Sequence, residues 1–113
     1  MFSEARLSGV YTALVTPFSP DGSAVDTAAL DALVEAQIAG SVSGLIPCGT
    51  TGESPTLSEA EQQVVIRHTV QVTRGRVPVI AGAGSFSTQK TIHSCQAALA
   101  CVLRELVDTP DEP

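Results

Sequence analysis

The chain has 113 residues, of which 43% are hydrophobic and 16% charged, a balance that predicts one globular domain rather than a disordered segment. Its net charge of −6, with no cluster of Lys and Arg, argues against a nucleic-acid-binding surface. No apolar run is long enough to span a bilayer, and the N-terminus has no signal-peptide pattern, so we expect a cytoplasmic protein.

Three apolar stretches predict β-strands, over residues 9–16, 43–48 and 77–81. Near-continuous apolar strands are typical of a parallel sheet that is covered on both faces. A helical pattern follows each strand after a short connection, so the chain predicts a βαβαβα order with right-handed crossovers.

The first two helices have recognisable start and stop signals. Asp26 is expected to cap the first helix, and Ser58 with Glu61 forms a capping box at the start of the second. Gly40 and Gly75 suit the C′ positions that follow the two helices.

The third helical pattern begins after Ser87 or Thr88. Its apolar stripe consists of Ile92, Cys95, Leu99, Val102, Leu103 and Leu106. Residues 97–107 contain no Gly or Pro and predict an uninterrupted helix, whereas the acidic, proline-containing residues 108–113 are expected to fray.

Two loops rich in Gly, Thr and Ser follow the second and third strands, Gly49-Thr50-Thr51-Gly52-Glu53 and Gly82-Ala83-Gly84-Ser85. Because parallel strands end at the same edge of a sheet, both loops are expected to open there, where ligands bind in such folds. Two hydroxyls and their backbone N–H groups suit a small carboxylate or phosphate. The alternative is a plain turn between strand and helix.

The cysteines do not predict a metal site. Cys48, Cys95 and Cys101 are an odd number without a CxxC spacing, and we interpret them as small buried apolar residues. A zinc site that adds His68 or His93 is the weaker alternative. We expect neither a metal nor a cofactor.

Three stretches together resemble one enzyme family, in order and in spacing. They are residues 9–18, residues 49–53 with Thr56-Leu57-Ser58-x-x-Glu61, and residues 78–85 with Ser87-Thr88. From about Leu7 to Ile92 the chain resembles the dihydrodipicolinate synthase/N-acetylneuraminate lyase family of pyruvate-dependent class I aldolase-type enzymes.

The resemblance implies a TIM (β/α)8 barrel, of which this chain would be the N-terminal βαβαβα portion, about three of eight units. It implies that a lysine condenses with the pyruvate ketone and that the resulting enamine attacks an aldehyde. By position, Thr51 would hold the pyruvate carboxylate through its hydroxyl and N–H, and Thr50 would belong to a proton relay. The other implied positions are the substrate-pocket residues Ala13 and Gly49 and the loop-supporting residues Gly52 and Glu53.

The chain departs from the family pattern in its catalytic groups. The Schiff-base lysine of the family lies on a later strand, and Lys90, the only lysine here, matches an exposed helical position instead. Tyr11, the only tyrosine, does not match the family's catalytic tyrosine. We therefore expect one truncated barrel segment over residues 1–113, divergent over 93–113, inactive by itself and marginally stable.

The resemblance implies a lyase that uses pyruvate and aspartate semialdehyde in lysine biosynthesis and that forms a homodimer or homotetramer. One alternative is a non-catalytic remnant, or a partner of a full-length paralogue. Another is the N-acetylneuraminate lyase and keto-sugar-acid aldolase branch. A nucleotide-binding module is the weakest alternative, because residues 82–85 do not form the GxGxxG motif.

Overall fold

The computed structural model describes residues 7–108 of the chain, with side chains as far as residue 102. A short parallel sheet forms one layer and three helices form the other. β1 (Tyr11–Ala13) pairs in parallel with β2 (Gly44–Ile46), so that Thr12 lies opposite Leu45. This is the first crossover that the sequence predicts.

The third predicted strand, residues 77–81, lies beside β2 and is also parallel to it. Its pairing is reduced to one bridge, between Leu45 and Val79. The Leu45 N–H donates to the Pro78 oxygen at 3.0 Å, and the Leu45 oxygen accepts from the Ile80 N–H at 2.9 Å. Pro78 and Pro47 lack the N–H groups that would extend the ladder on either side of this bridge. The prediction was right in position and direction and too long in extent.

The first helix, α1 (Thr27–Ala39), begins as predicted at Asp26, whose carboxylate accepts from the Ala29 N–H at 2.9 Å. Its end differs from the prediction. Gly40 is the C-cap residue with an ordinary φ of −77°, and the next residue, Ser41, takes the left-handed conformation with φ 67°. The predicted C′ role of Gly40 was therefore wrong by one residue.

The second helix, α2 (Glu59–Thr73), begins with the predicted capping box. The Ser58 hydroxyl accepts from the Glu61 N–H at 3.1 Å, and the Glu61 carboxylate accepts from the Ser58 N–H at 2.8 Å. Gly75 follows the C-cap residue at C′ with φ 71°, as predicted.

The third helix, α3 (Thr88–Asp108), runs without interruption through residues 97–107, as predicted. The Ser87 hydroxyl accepts from the Lys90 N–H at 3.1 Å and caps the first turn. Neither α3 nor another helix within residues 7–108 is long and apolar enough to cross a bilayer. The predicted fraying falls mainly on residues 109–113, which lie outside the described part of the chain.

The helices lie side by side in the order α1, α2, α3. The His68 Nδ1 of α2 lies 3.0 Å from an Asp31 carboxylate oxygen of α1, and the His93 Nε2 of α3 lies 3.1 Å from a Glu59 carboxylate oxygen of α2. Between helices and sheet lies the core, whose buried apolar residues are Leu14, Leu30, Val34, Leu45, Cys48, Leu57, Val65, Ile66 and Cys101.

The capping box gives a stability prediction. Ser58→Ala removes the acceptor of the Glu61 N–H, and we expect it to lower the free energy of unfolding by about 1 kcal/mol. Ser58→Asp keeps an acceptor at the same position and is expected to stay close to the wild type. Urea unfolding followed by circular dichroism measures both, and equal midpoints for Ser58→Ala and the wild type would contradict the role of the cap.

Candidate functional site

The loop after β2 is a compact double turn. Two short 3₁₀ turns, Thr50–Gly52 and Ser54–Thr56, are separated by Glu53 in the left-handed conformation with φ 65°. Cys48 is also left-handed, with φ 58°. Non-glycine residues adopt this conformation at a cost, so the surrounding contacts must hold the loop in place.

Thr16 supplies one of those contacts. Its hydroxyl is buried and donates to the Gly52 oxygen at 2.7 Å, which joins the end of the first strand region to the loop. A Cβ at position 52 would lie 3.0 Å from the Leu14 oxygen and 3.1 Å from the Thr16 hydroxyl. The loop therefore favours glycine at this position, because a Cβ would have to move it a few tenths of an ångström away from its anchor.

Thr50 and Thr51 present hydrogen-bond donors to solvent. Both residues are exposed, and the turn closes behind them through the bond from the Gly52 N–H to the Gly49 oxygen at 3.0 Å. Within residues 7–108, the Thr51 N–H and the two threonine hydroxyls have no hydrogen-bond partner. These neutral donors are available to an anionic ligand.

The loop after residues 77–81 lies directly against the first loop. The Gly82 N–H donates to the Pro47 oxygen at 2.8 Å, and a Cβ at position 82 would lie 2.0 Å from the Cys48 oxygen. Only glycine permits this backbone contact. The two loops therefore meet at the same edge of the sheet, as the sequence predicts.

A cavity of about 340 Å³ lies between the two loops and the start of α3. The first loop contributes Gly49 and Thr50 to its lining, the second contributes Ser85, and α3 contributes Lys90. Lys90 is the one charged residue among the lining residues of the described chain, and it is exposed. The cavity therefore combines hydroxyl donors with a single positive charge.

The other predicted site residues are not among the residues that line this cavity. Ala13 is exposed on β1, opposite Ile46 of β2, and Thr51 is exposed on the first loop. Gly52 is buried beneath that loop. Glu53 contributes its backbone, because its oxygen accepts from the N–H and the hydroxyl of Thr56 at 3.0 and 3.1 Å.

The cysteines lie in two different environments. Cys48 and Cys101 are buried as predicted, but Cys95 is exposed, so the interpretation of all three as buried residues was wrong. Burial raises the pKa of the Cys48 thiol to about 12, which keeps it protonated and unreactive at neutral pH. Among the described residues, no group of three or more His, Cys, Asp or Glu side chains could hold a metal ion.

Sequence reasoning did not identify Thr16 as a residue that positions the site. Its position relative to Leu14 could have identified it. Side chains two residues apart in an extended strand point to the same face, and the side chain of Leu14 is buried at 3% exposure. A hydroxyl on a buried face needs an acceptor, and the nearby glycine loop supplies one.

Comparison with known proteins places these features in a family. A sequence profile of the dihydrodipicolinate synthetase family matches residues 6–101. The 4-hydroxy-tetrahydrodipicolinate synthase of Sorangium cellulosum is 74% identical over 98 residues, which are 87% of this chain and 33% of that protein. The chain therefore spans about a third of the length of this relative.

Solved structures agree in fold. The dihydrodipicolinate synthase of Acinetobacter baumannii, solved in complex with pyruvate, superposes with a TM-score of 0.79 at 40% identity over 82% of this chain and 32% of that one. The N-acetylneuraminate lyase of Mycoplasma synoviae gives 0.78 at 28% identity over 88% and 34%. The synthases are TIM barrels, and the present fold is their N-terminal βαβαβα portion.

The contact between the two loops gives a prediction with an internal control. Gly82→Ala forces a Cβ against the Cys48 oxygen, and we expect it to lower the free energy of unfolding by about 1–3 kcal/mol, as overpacking does elsewhere. Gly84→Ala is the matched control, since its Cβ meets nothing within 4 Å and its φ is not left-handed. Urea unfolding of both variants measures the difference, and equal stability would contradict the close approach.

Proposed function

Because the chain belongs to the dihydrodipicolinate synthetase family, we propose that its loop 49–53 binds the carboxylate of pyruvate in a synthase of the 4-hydroxy-tetrahydrodipicolinate type. One observation carries the proposal. The exposed Thr51 N–H and the threonine hydroxyls lack partners within residues 7–108, at the carboxyl edge of a parallel sheet. That edge is where ligands bind in barrels of this kind.

In this proposal Thr51 donates its hydroxyl and its N–H to the two carboxylate oxygens. Ala13 and Gly49 border the ligand with small side chains that leave room for it. Neutral donors suit the chemistry of the site. They bind the carboxylate without placing a cation beside it, and such a cation would repel a protonated amine nucleophile. Thr50 serves the proton relay, and Gly52 and Glu53 keep the loop in shape.

The reaction that we propose for the whole enzyme is a Schiff-base condensation. A lysine amine adds to the pyruvate ketone and water leaves, so that an iminium forms. Loss of a methyl proton gives an enamine, which attacks the aldehyde carbon of aspartate semialdehyde. This places the enzyme in lysine biosynthesis as a lyase without a cofactor.

The chain supplies the carboxylate-binding half of that site and not the nucleophile. Its only lysine, Lys90, is exposed on α3 and not on a strand. We therefore propose that the 113 residues form a single barrel segment, with divergent residues 93–113, and that it is inactive by itself. The complete enzyme is proposed to be a cytoplasmic homodimer or homotetramer.

The synthase branch is favoured over the lyase branch by similarity. Identity is 74% to the Sorangium cellulosum synthase and 28% to the Mycoplasma synoviae N-acetylneuraminate lyase. The cleavage of neuraminate or of a keto-sugar acid is the second candidate, since its enzymes share the fold of this segment at a TM-score of 0.78.

Pyruvate binding tests the carboxylate site. Thr51→Val removes a hydroxyl donor to a charged group, which is worth about 1.5–3 kcal/mol, so we expect pyruvate affinity to fall at least about tenfold. Thr27→Val, at the start of α1, is the control and is expected to bind as the wild type does. Ligand-observed NMR with pyruvate measures both, and equal affinities for the two variants would refute the role of Thr51.

Borohydride trapping tests the missing nucleophile. The chain is incubated with pyruvate and sodium borohydride, which reduces an imine to a stable secondary amine, and intact mass is measured. We expect no stoichiometric adduct with the wild type and none with Lys90→Arg. A pyruvate adduct that Lys90→Arg abolishes would show that Lys90 is a nucleophile, contrary to the proposal.

A further inference from the structure

The cavity between the two loops contains a cation that the proposed pyruvate site does not use. Lys90 lines the cavity, and within the described side chains no carboxylate pairs with it. Thr51, which makes the proposed contact with pyruvate, is not among the lining residues. The cavity is therefore a separate candidate site, and the chemistry of its own lining decides what it can bind.

The charge of this lining runs against the composition of the chain. Asp and Glu outnumber Lys and Arg by twelve to six over the whole sequence. In the part of the chain that the structure describes, however, no Asp or Glu lines the cavity. An ammonium without a counter-charge attracts anions more strongly in a cleft than on an open surface, because less water screens it there. The lining also offers no carboxylate that would hold a cationic ligand.

Ser94 adds a neutral donor beside this charge. It lies four residues after Lys90 on α3, so the two side chains project from the same face of the helix. Ser94 is half-buried and lines the cavity, and its hydroxyl has no hydrogen-bond partner among residues 7–102. A helical serine can bond to the oxygen of the preceding turn, and this one is free of that bond. Its hydroxyl and the ammonium are therefore both available to one anionic group.

Phe86 gives the cavity an apolar wall. It is among the lining residues, and its side chain is fully exposed, at 102%. A phenyl ring in water at the side of a cavity offers a surface that an apolar part of a ligand can cover. The volume of about 340 Å³ lies at the low end of the range for small-molecule sites. It suits a small organic molecule and is larger than a bare inorganic ion requires.

We propose that this cavity is a second ligand site, which binds a small organic carboxylate with an apolar body. Lys90 and Ser94 bind the carboxylate, and Phe86 covers the apolar body. A single ammonium balances a single carboxylate, whereas a phosphate group carries up to two negative charges at neutral pH. The proposal does not depend on pyruvate binding, because Thr51 has no part in this site.

An NMR titration of the isotope-labelled chain with benzoate tests the proposal. Benzoate combines one carboxylate with an apolar ring, benzamide keeps the shape without the charge, and benzylamine reverses the charge. We expect benzoate to shift the amide signals of residues 84–86 and 90–94. Benzamide and benzylamine are expected to bind at least about fivefold more weakly, and added salt is expected to weaken benzoate binding.

Substitutions of two exposed cations provide the matched comparison. Lys90→Gln removes the charge from the cavity and is expected to weaken benzoate binding at least about fivefold, whereas Lys90→Arg keeps the charge and most of the affinity. Arg74→Gln removes the same charge from the far end of α2, roughly 18 Å along the helix from the lining residue Gln62, and is expected to leave binding unchanged. Phe86→Ala should weaken the binding of benzoate and of benzamide alike. Circular dichroism checks that each variant is folded.

Four outcomes would overturn the proposal. One is the absence of benzoate binding to the folded chain, and another is equal affinity of the wild type and Lys90→Gln. The third is displacement of benzoate by an equal concentration of inorganic phosphate, which would show a site for inorganic anions. The fourth is a loss of benzoate binding in Thr51→Val, which would show that the cavity and the pyruvate loop are one site. If benzoate binds as expected and pyruvate does not bind, only the proposed function fails.

Discussion

The backbone of Leu45 joins the whole sheet. Its N–H and oxygen bond to residues 78 and 80 on one side, and its register partner on the other is Thr12 of β1. Its side chain is fully buried under the helices. Because the loops after β2 and after residues 77–81 start from these pairings, the distance between them is set by this one strand.

The helices could be predicted closely because their signals are local. Asp26 and the Ser58–Glu61 pair lie within a few residues of the N–H groups that they satisfy, so the sequence alone contains the relevant chemistry. The strands were harder, because their extent depends on partners. Pro47 and Pro78 interrupt the same ladder, and this is visible only when the two segments are placed side by side. The exposure of Cys95 likewise depends on which side of α3 meets α2.

The location of the site could be predicted from the sequence, whereas the conformation of its loops could be predicted less well. Two loops at the ends of parallel strands had to share an edge, and they do. Thr50 lines the cavity and Thr51 does not, and the two threonines lie between the left-handed residues Cys48 and Glu53. Neither residue type signals that conformation. The buried bond from Thr16 to Gly52 spans 36 positions of the chain, so no local pattern contains it.

The contact at Gly82 has a consequence for how this loop can evolve. Position 82 has no space for a side chain, whereas a Cβ at position 84, two residues further along the same loop, would meet no atom within 4 Å. A side chain can therefore be accommodated at the outer position and not at the inner one. Because both glycines line the cavity, a side chain at position 84 would change the lining without changing the spacing of the two loops, which the contact at position 82 sets.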